Sequence, residues 1–421
     1  MTSYPDSVRF LYSLGNEIRA VKWGLETIRR LLEELGHPER CCRVVHVAGT
    51  NGKGSTCAMI ESGLRAAGLT TALYTSPHLV EPTERIRIHN QPVTAEAFAH
   101  AFDLVHLTSE RLLAEEEIET HPTYFETITA MAFVLFRQAN PDRVVLEVGL
   151  GGRLDATNVV EPDLCVITPV DYDHEAFLGK SIDLIAAEKA GILKPRVPVV
   201  VACQREDARE VILGRAAEMA CPVIDAARFP CESIVDNPHG SSFVWEGETL
   251  ECALAGRHQV DNAITAALAL RELGVEPRWI REGIASARWP GRMERLSRSP
   301  DIILDGAHNP AGVRALAAYI RRHYSDRRVH VIFGTMRDKS VGEIADTLFP
   351  LAAELILTAP RSPRALSPQS LVAAAGHPRA RTAPDLASAL GMALQTAAPE
   401  DVIFVCGSLF LAGEARALLV E

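Results

Sequence analysis

The sequence predicts an α/β protein of two unequal domains, each built on a mostly parallel sheet. Short continuous runs of apolar, β-branched residues alternate with longer segments of helical periodicity, the pattern of a parallel sheet covered on both faces. That alternation lapses after about residue 204 and restarts beyond a Pro- and Arg-rich stretch, RWPGRMERLSRSP (288–300). The 421 residues also exceed the roughly 100–200 that one domain usually holds. The expected division is a first domain over 1–292, with a small β subdomain at about 205–258, and a smaller second α/β domain over 293–421.

The elements follow in order. RVVHVAG (43–49) reads as a buried strand, STCAMIESGLRAAG (55–68) as a helix closed by Gly68, and TTALYTS (70–76) as the next strand. The polar, Pro-containing stretch from Pro77 to Val93 is long for a connection and is expected to be functional. AEAFAHAFDLVHLTSERLLAEEE and YFETITAMAFVLFRQAN carry helical periodicity, and DRVVLEVG (142–149) and DLCVITPV (163–170) are again of buried-strand length. Short alternating strands such as SSFVWEGETLECAL suggest the small β subdomain. HQVDNAITAALALRELG (258–274) is a helix ending at a glycine cap. After the 288–300 hinge, DIILDGAHN, RRVHVIFGT, AELILTAP and DVIFVCGS are four further strands.

Composition narrows the functional class. With 47% hydrophobic residues the chain can bury a core, so disorder is excluded for its bulk. Its 43 basic and 54 acidic side chains leave a net charge of −11, which argues against wrapping nucleic acid. Any anionic ligand must be held by local groups or metal ions. No apolar run approaches the roughly 18 residues of a membrane span, and MTSYPDSVRF has neither the basic nor the apolar region of a signal peptide. Nine scattered cysteines without a CxxC pair point to reduced thiols in a cytoplasm.

Chemistry-bearing residues cluster at predicted strand ends. Gly49-Thr-Asn-Gly52-Lys53-Gly54-Ser55 lies between a strand and a helix, where backbone N–H groups and a helix N-terminus can face phosphate oxygens. Lys53 can reach outer phosphates and Ser55 can ligate Mg²⁺. The spacing departs from G-x-x-x-x-G-K-[ST], and an ordinary glycine turn is the alternative; the strand–loop–helix context favours an ATP site. Glu147 ends a strand at the edge where open α/β sheets gather ligands, as a metal-holding carboxylate or a solvated acid. His174, just past another strand, is a ligand or a solvated imidazole. Lys189 shares one helix face with Ile182, Ile185, Ala186 and Leu193, so its ammonium either snorkels or is desolvated, which lowers its pKa and leaves a nucleophilic amine. Asn262, Arg292, Asp305 and His308 fall on a helix, in the hinge and at a strand end, positions expected around an interdomain cleft.

Ten segments, GTNGKGS, TSPHL, YFE-T-TA-AF, LEVGLGGRLDATN, DHEAFLG–IAAEKAGI, GRHQVDNA, WPGRME, LDGAHNP, DKS and CGSLFLAG, occur in the order of one family across nearly the whole chain. On them the sequence resembles the folylpolyglutamate synthase/dihydrofolate synthase branch of the Mur ligases. The resemblance implies a P-loop ATPase-type first domain and a Rossmann-like glutamate ligase domain. It implies ATP contacts at Gly52, Lys53, Gly54, Ser55, Asn262, Arg292 and Asp305. Two Mg²⁺ ions would be held by Ser55, Ser76, Glu147 and His174, and Lys189 would be carbamylated in support of them. A pterin-bearing substrate would lie near Thr123, Leu154, Asp155 and Ala156, with His308 and Ser408 handling glutamate.

The implied reaction joins L-glutamate to dihydropteroate or a reduced folate, in folate and one-carbon metabolism. The substrate carboxylate attacks the γ-phosphate, and the glutamate amine then displaces phosphate from the acyl phosphate. Charge neutralisation matters most in such chemistry, and closure at the 288–300 hinge would exclude water. A monomer with small-molecule substrates, no nucleic acid and no membrane partner is expected. Two rivals are an amino-acid ligase acting on a nucleotide-linked cell-wall precursor and a nucleotide-binding switch. The first normally carries an additional N-terminal domain, where only about forty residues precede the first strand here. The second would need neither Lys189 on an apolar face nor LDGAHNP.

Overall fold

A computed structural model describes residues 2–15, 24–339 and 341–420, apart from the side chains of residues 374 and 375. Ser340 of the DKS segment lies outside them. The chain divides into two compact units: Met1–Val170, Leu178–Pro230 and Asn262–Ile284 in the first, and Asp171–Phe177, Cys231–Asp261 and Ala285–Glu421 in the second.

Among its described residues the first unit holds an eight-stranded sheet. Its spatial order is Gln91–Pro92, Ile86–Ile88, Thr71–Tyr74, Arg143–Glu147, Val44–Ala48, Leu164–Ile167, Val199–Val201, Val223–Asp225. From Thr71–Tyr74 onward every pairing is parallel. The strands Val44–Ala48, Thr71–Tyr74, Arg143–Glu147 and Leu164–Ile167 are buried at every position, which explains their continuous apolar runs: both faces are covered. One polar exception, His46, lies in the central strand with Nε2 2.9 Å from Thr157 Oγ1. Burial, with Lys194 adding, pushes its pKa down to about 3, so the ring stays neutral. The helices Ala95–Ala114 and Tyr124–Ala139 pack into a core with Ile28, Leu31, Phe98, Phe102, Phe133 and Phe136.

The second unit contains a six-stranded sheet, ordered Glu294–Arg298, Asp301–Leu304, Val402–Cys406, Val329–Phe333, Glu354–Leu357, Ala380–Thr382. It is parallel except at Glu294–Arg298. The four strands expected in this region are its centre; the two edge strands are short or polar and gave no apolar run. Glu294–Arg298 lies within the expected hinge, so five residues of that segment form an ordered strand paired with Asp301–Leu304.

Two further expectations differ from the structure. Residues 206–218 are not part of a β subdomain but a helix that buries Ala208, Ile212 and Ala216 at four-residue spacing, followed by the last strand of the large sheet. The antiparallel three-stranded sheet is confined to Cys231–Cys252 and groups with the second unit. There Asp236 pairs with Arg322 and His323, and the Tyr319 hydroxyl donates to Pro238 O at 3.0 Å. The Pro77–Val93 stretch is largely structural: it forms a 3₁₀ turn at Pro82–Arg85 and two short antiparallel strands on the sheet edge. The Glu84 carboxylate accepts from the N–H groups of Leu79, Val80 and Glu81. Among the described residues no helix is long and apolar enough to cross a membrane, and all nine cysteines are unbridged.

Candidate active site

In the first unit, parallel pairing puts the carboxyl ends of four strands on one edge of the sheet. The segments that follow Ala48, Tyr74, Glu147 and Ile167 therefore emerge together. Gly49-Thr-Asn-Gly52 runs from the first of these into the helix Lys53–Ala66. Its shape depends on glycine. Gly52 has φ +84°, and a Cβ there would lie 2.3 Å from Asn262 Oδ1; one on Gly49 would lie 1.9 Å from Thr168 Oγ1. Thr50 and Asn51 both donate their N–H to Pro169 O, at 3.0 and 3.1 Å. Lys53 Nζ donates to Gly49 O at 3.0 Å and Thr50 O at 3.1 Å, which draws the ammonium over the loop. Ser55 is buried in the first helical turn. Asn262 of the helix His258–Glu272 thus packs on the glycine loop, which links two residues more than 200 positions apart. Replacing Gly52 by alanine is expected to cost about 1–2 kcal/mol from the left-handed backbone alone, and the Asn262 clash adds to it. A lowered Tm and weaker nucleotide binding in calorimetry would check this.

Glu147 ends its strand buried, and its Oε2 accepts the Ser76 N–H at 3.1 Å. Ser76 and Glu147, 71 residues apart, are thereby brought together. Lys189 is 4% exposed on the helix Ile182–Ala190, among buried Ile182, Ile185 and Ala186, with Leu193 buried just beyond the helix end. The helical face read from the sequence is the buried face. Gly152 allows this packing, because a Cβ there would lie 3.1 Å from Lys189 Cα and 2.6 Å from Glu188 O.

Three expected substrate residues have structural work of their own. Asp155 Oδ2 accepts from Gly149 N (3.1 Å) and Leu150 N (2.8 Å), and Oδ1 from the Thr157 N–H (3.0 Å) and hydroxyl (2.5 Å). Burial raises its pKa against those four bonds. Its carboxylate is turned toward Gly149 and Leu150, so it shapes the turn on which half-buried Leu154 and buried Ala156 sit. Thr123 caps the helix Tyr124–Ala139: its hydroxyl accepts the Glu126 N–H at 3.2 Å while Glu126 accepts the Thr123 N–H at 2.8 Å. This reciprocal capping box was readable as Thr-x-x-Glu. Ser408 caps the helix Leu409–Leu419 by accepting the Leu411 N–H at 3.0 Å.

The second unit assembles the remaining candidates around two carboxylates. Asp305, just past the strand Asp301–Leu304, accepts from Met293 N (3.0 Å) and Ala307 N (2.9 Å). Burial raises its pKa, against the opposing pull of Arg292. Arg292 reaches over Gly306, where a Cβ would lie 2.2 Å from Nη1. Burial of the ring, with Arg292 adding, pushes half-buried His258 down to about 4.

The second carboxylate, Asp173, was not singled out in the sequence. It accepts from Lys339 Nζ at 2.6 Å and Asn309 Nδ2 at 3.1 Å, and His308 Nε2 lies 3.5 Å away. Burial alone would raise its pKa, but His308, His174 and Lys339 hold it well below the usual carboxylate range. His308 is fixed by Nδ1 donating to Gly306 O at 2.7 Å. His174 has φ +52°, and burial pushes it down to about 4 against the Asp173 charge. Its Nδ1 is buried without a hydrogen-bond partner, as suits a neutral imidazole ligand. Lys339 and Asn309 lie within the DKS and LDGAHNP segments, so a search for charged residues in those segments would have found the Asp173 partners.

A strand–glycine loop–helix with a strand-end carboxylate, joined to a second parallel α/β unit, defines a nucleotide-using enzyme of the Mur ligase class. Residues 47–270 match the Mur ligase middle domain and residues 291–409 the Mur ligase glutamate ligase domain. The chain is 34% identical over 431 aligned residues to the dihydrofolate synthase/folylpolyglutamate synthase of Bacillus subtilis, covering 99% of each. Among solved structures it is similar to Mycobacterium tuberculosis folylpolyglutamate synthase complexed with ADP and AMPPCP, at TM-score 0.90 and 31% identity, covering 99% of each chain. It is also similar to E. coli FolC in complex with DHPP and ADP, at TM-score 0.89 and 32% identity, covering 100% of this chain and 98% of that one. The protein belongs to the folylpolyglutamate synthase/dihydrofolate synthase family of Mur ligases.

Proposed function

We propose that this protein is an ATP-dependent ligase that joins L-glutamate to the carboxylate of dihydropteroate or a reduced folate, through an acyl phosphate, releasing ADP and phosphate. The observation that carries the reading is the convergence of the Gly49–Ser55 loop, Ser76 and Glu147 on the carboxyl edge of one parallel sheet, with Asn262 packed on Gly52. Family membership and a relative whose structure holds DHPP and ADP support it.

The residues fit the work assigned to them. Backbone N–H groups at the start of the helix Lys53–Ala66 and the Lys53 ammonium hold the nucleotide phosphates, and Arg292 adds positive charge. Ser55, Ser76 and Glu147 offer the oxygen donors that Mg²⁺ prefers, and the orphaned Nδ1 of His174 offers a further ligand. When bound, Mg²⁺ would supply neutralisation of the phosphate charge. Lys189, buried beside the loop that Gly152 carries, is the carbamylated residue of this reading. Leu154 and Ala156, on the turn held by Asp155, line the pterin end with Thr123. In the second unit Asp305 contributes to nucleotide binding, and His308 and the N-terminus capped by Ser408 handle glutamate, whose carboxylates suit a helix N-terminus.

Purified protein is expected to release ADP only when ATP, Mg²⁺, glutamate and a folate-type acid are all present. Dihydropteroate and tetrahydrofolate, assayed side by side, assign the acceptor. Turnover with a nucleotide-linked cell-wall precursor and none with either folate acid would sink the reading.

A further inference from the structure

The helix Ala95–Ala114 carries His106 and Glu110 four residues apart, on one face. His121 comes from the segment that leads to Thr123. One ligand atom from each of the three lies within 4.8 Å of the other two. His106 Nδ1 is 3.8 Å and His121 Nε2 3.6 Å from the same Glu110 oxygen, Oε1. None of these residues belongs to the machinery assigned above.

The hydrogen bonding leaves two ring nitrogens of this cluster turned to one carboxylate. His121 Nδ1, 2.9 Å from the carbonyl oxygen of Pro122, donates there, so Nε2 is the nitrogen left for a ligand. His106 Nδ1 and His121 Nε2 are both buried without a hydrogen-bond partner. Aromatic rings fix both imidazoles: Phe102 stacks on His106 at 5.2 Å between ring centres, and Phe10 lies 4.4 Å from His106 and 5.6 Å from His121.

We propose that His106, Glu110 and His121 bind one divalent first-row transition ion of the zinc type. Two neutral imidazoles and one carboxylate suit zinc and exclude a preference for Mg²⁺, which takes oxygen ligands. Zinc bonds of about 2.0–2.2 Å place tetrahedral ligand atoms about 3.4 Å apart, so the 3.6 and 3.8 Å to Glu110 need only a small closure, and the two imidazoles, whose ligand atoms lie within 4.8 Å of each other, close by at most about 1.4 Å. Glu110 is half exposed, which leaves the fourth position to water. The ion clips the last turns of Ala95–Ala114 to the segment that enters the Thr123 cap. Its role is structural, stabilising the start of the helix Tyr124–Ala139 without taking part in ligation.

The test uses full-length protein freed of metal by a chelator and titrated with Zn²⁺, and separately with Co²⁺, in excess Mg²⁺. One equivalent is expected to bind, with a rise in Tm and a Co²⁺ spectrum lacking thiolate charge-transfer bands. Glu110→Gln, at an exposed position that keeps the fold, and His121→Ala should each weaken binding by more than about tenfold, with the Mg²⁺- and ATP-dependent nucleotide binding retained. Absence of Zn²⁺ uptake, or uptake unchanged in both variants and marked by thiolate bands, overturns the proposal.

Discussion

Replacing Lys53 by alanine is expected to lower kcat by about 10²–10³-fold, the usual cost of removing one preorganised charge from a site where anionic charge develops. Lys53 opens the helix after the glycine loop, and its ammonium already lies over that loop through bonds to Gly49 O and Thr50 O. At a net charge of −11 the protein as a whole does not attract the phosphates, so placed cations such as Lys53 must hold them. Lys53→Arg should not restore the rate, because a planar guanidinium does not fit a site shaped for a point charge. The far-ultraviolet spectrum and Tm should stay near wild type, since the two lost bonds are to loop carbonyls. A loss below tenfold in kcat, with the fold intact, would remove Lys53 from the phosphate site.

Lys189→Ala is expected to reduce activity by a comparable factor, through loss of support for the metal-bound phosphates, while the protein still binds ADP. The reason is burial. A lysine 4% exposed on a helix face that also buries Ile182, Ile185 and Ala186 does not snorkel into water, and on the proposed reading its amine adds to CO₂. From the neutral amine the new N–C bond gives a carbamate and releases one proton, leaving an anion that can face cations. Carbon NMR under labelled bicarbonate should show one carbamate signal in wild-type protein and none in the variant. A wild-type spectrum without that signal counts against carbamylation, and activity retained in Lys189→Ala counts against any role in the reaction.

These two residues also mark how much of the site could be read before any coordinates. Lys53 stood in a glycine-rich loop between a strand and a helix, a purely local pattern. Lys189 stood on a helix whose period put it beside Ile182, Ile185 and Ala186. Asp173 was harder. Its chemistry comes from Lys339, Asn309 and His308, which lie more than 130 positions away, and no local pattern reports such partners. The expected substrate contacts Thr123 and Ser408 show the opposite limit. Their motif positions were legible, but their hydroxyls serve helix caps. Residues 206–218 were misread because a short amphipathic helix between Pro-punctuated segments has a weak period, whereas its buried stripe of Ala208, Ile212 and Ala216 is plain once packed.

By itself the sequence determined the α/β class, the buried central strands, the strand–glycine loop–helix and the family, because each is written in contiguous residues: apolar runs, helical period and ordered motifs. Only the tertiary structure decided which distant groups meet. It set Ser76 against Glu147, Asn262 against Gly52, Lys339 against Asp173, and His106 and Glu110 against His121. The physical reason is that such pairings arise from strand order and helix packing, which bring together residues tens to hundreds of positions apart, whereas periodicity and turn chemistry act over only a few.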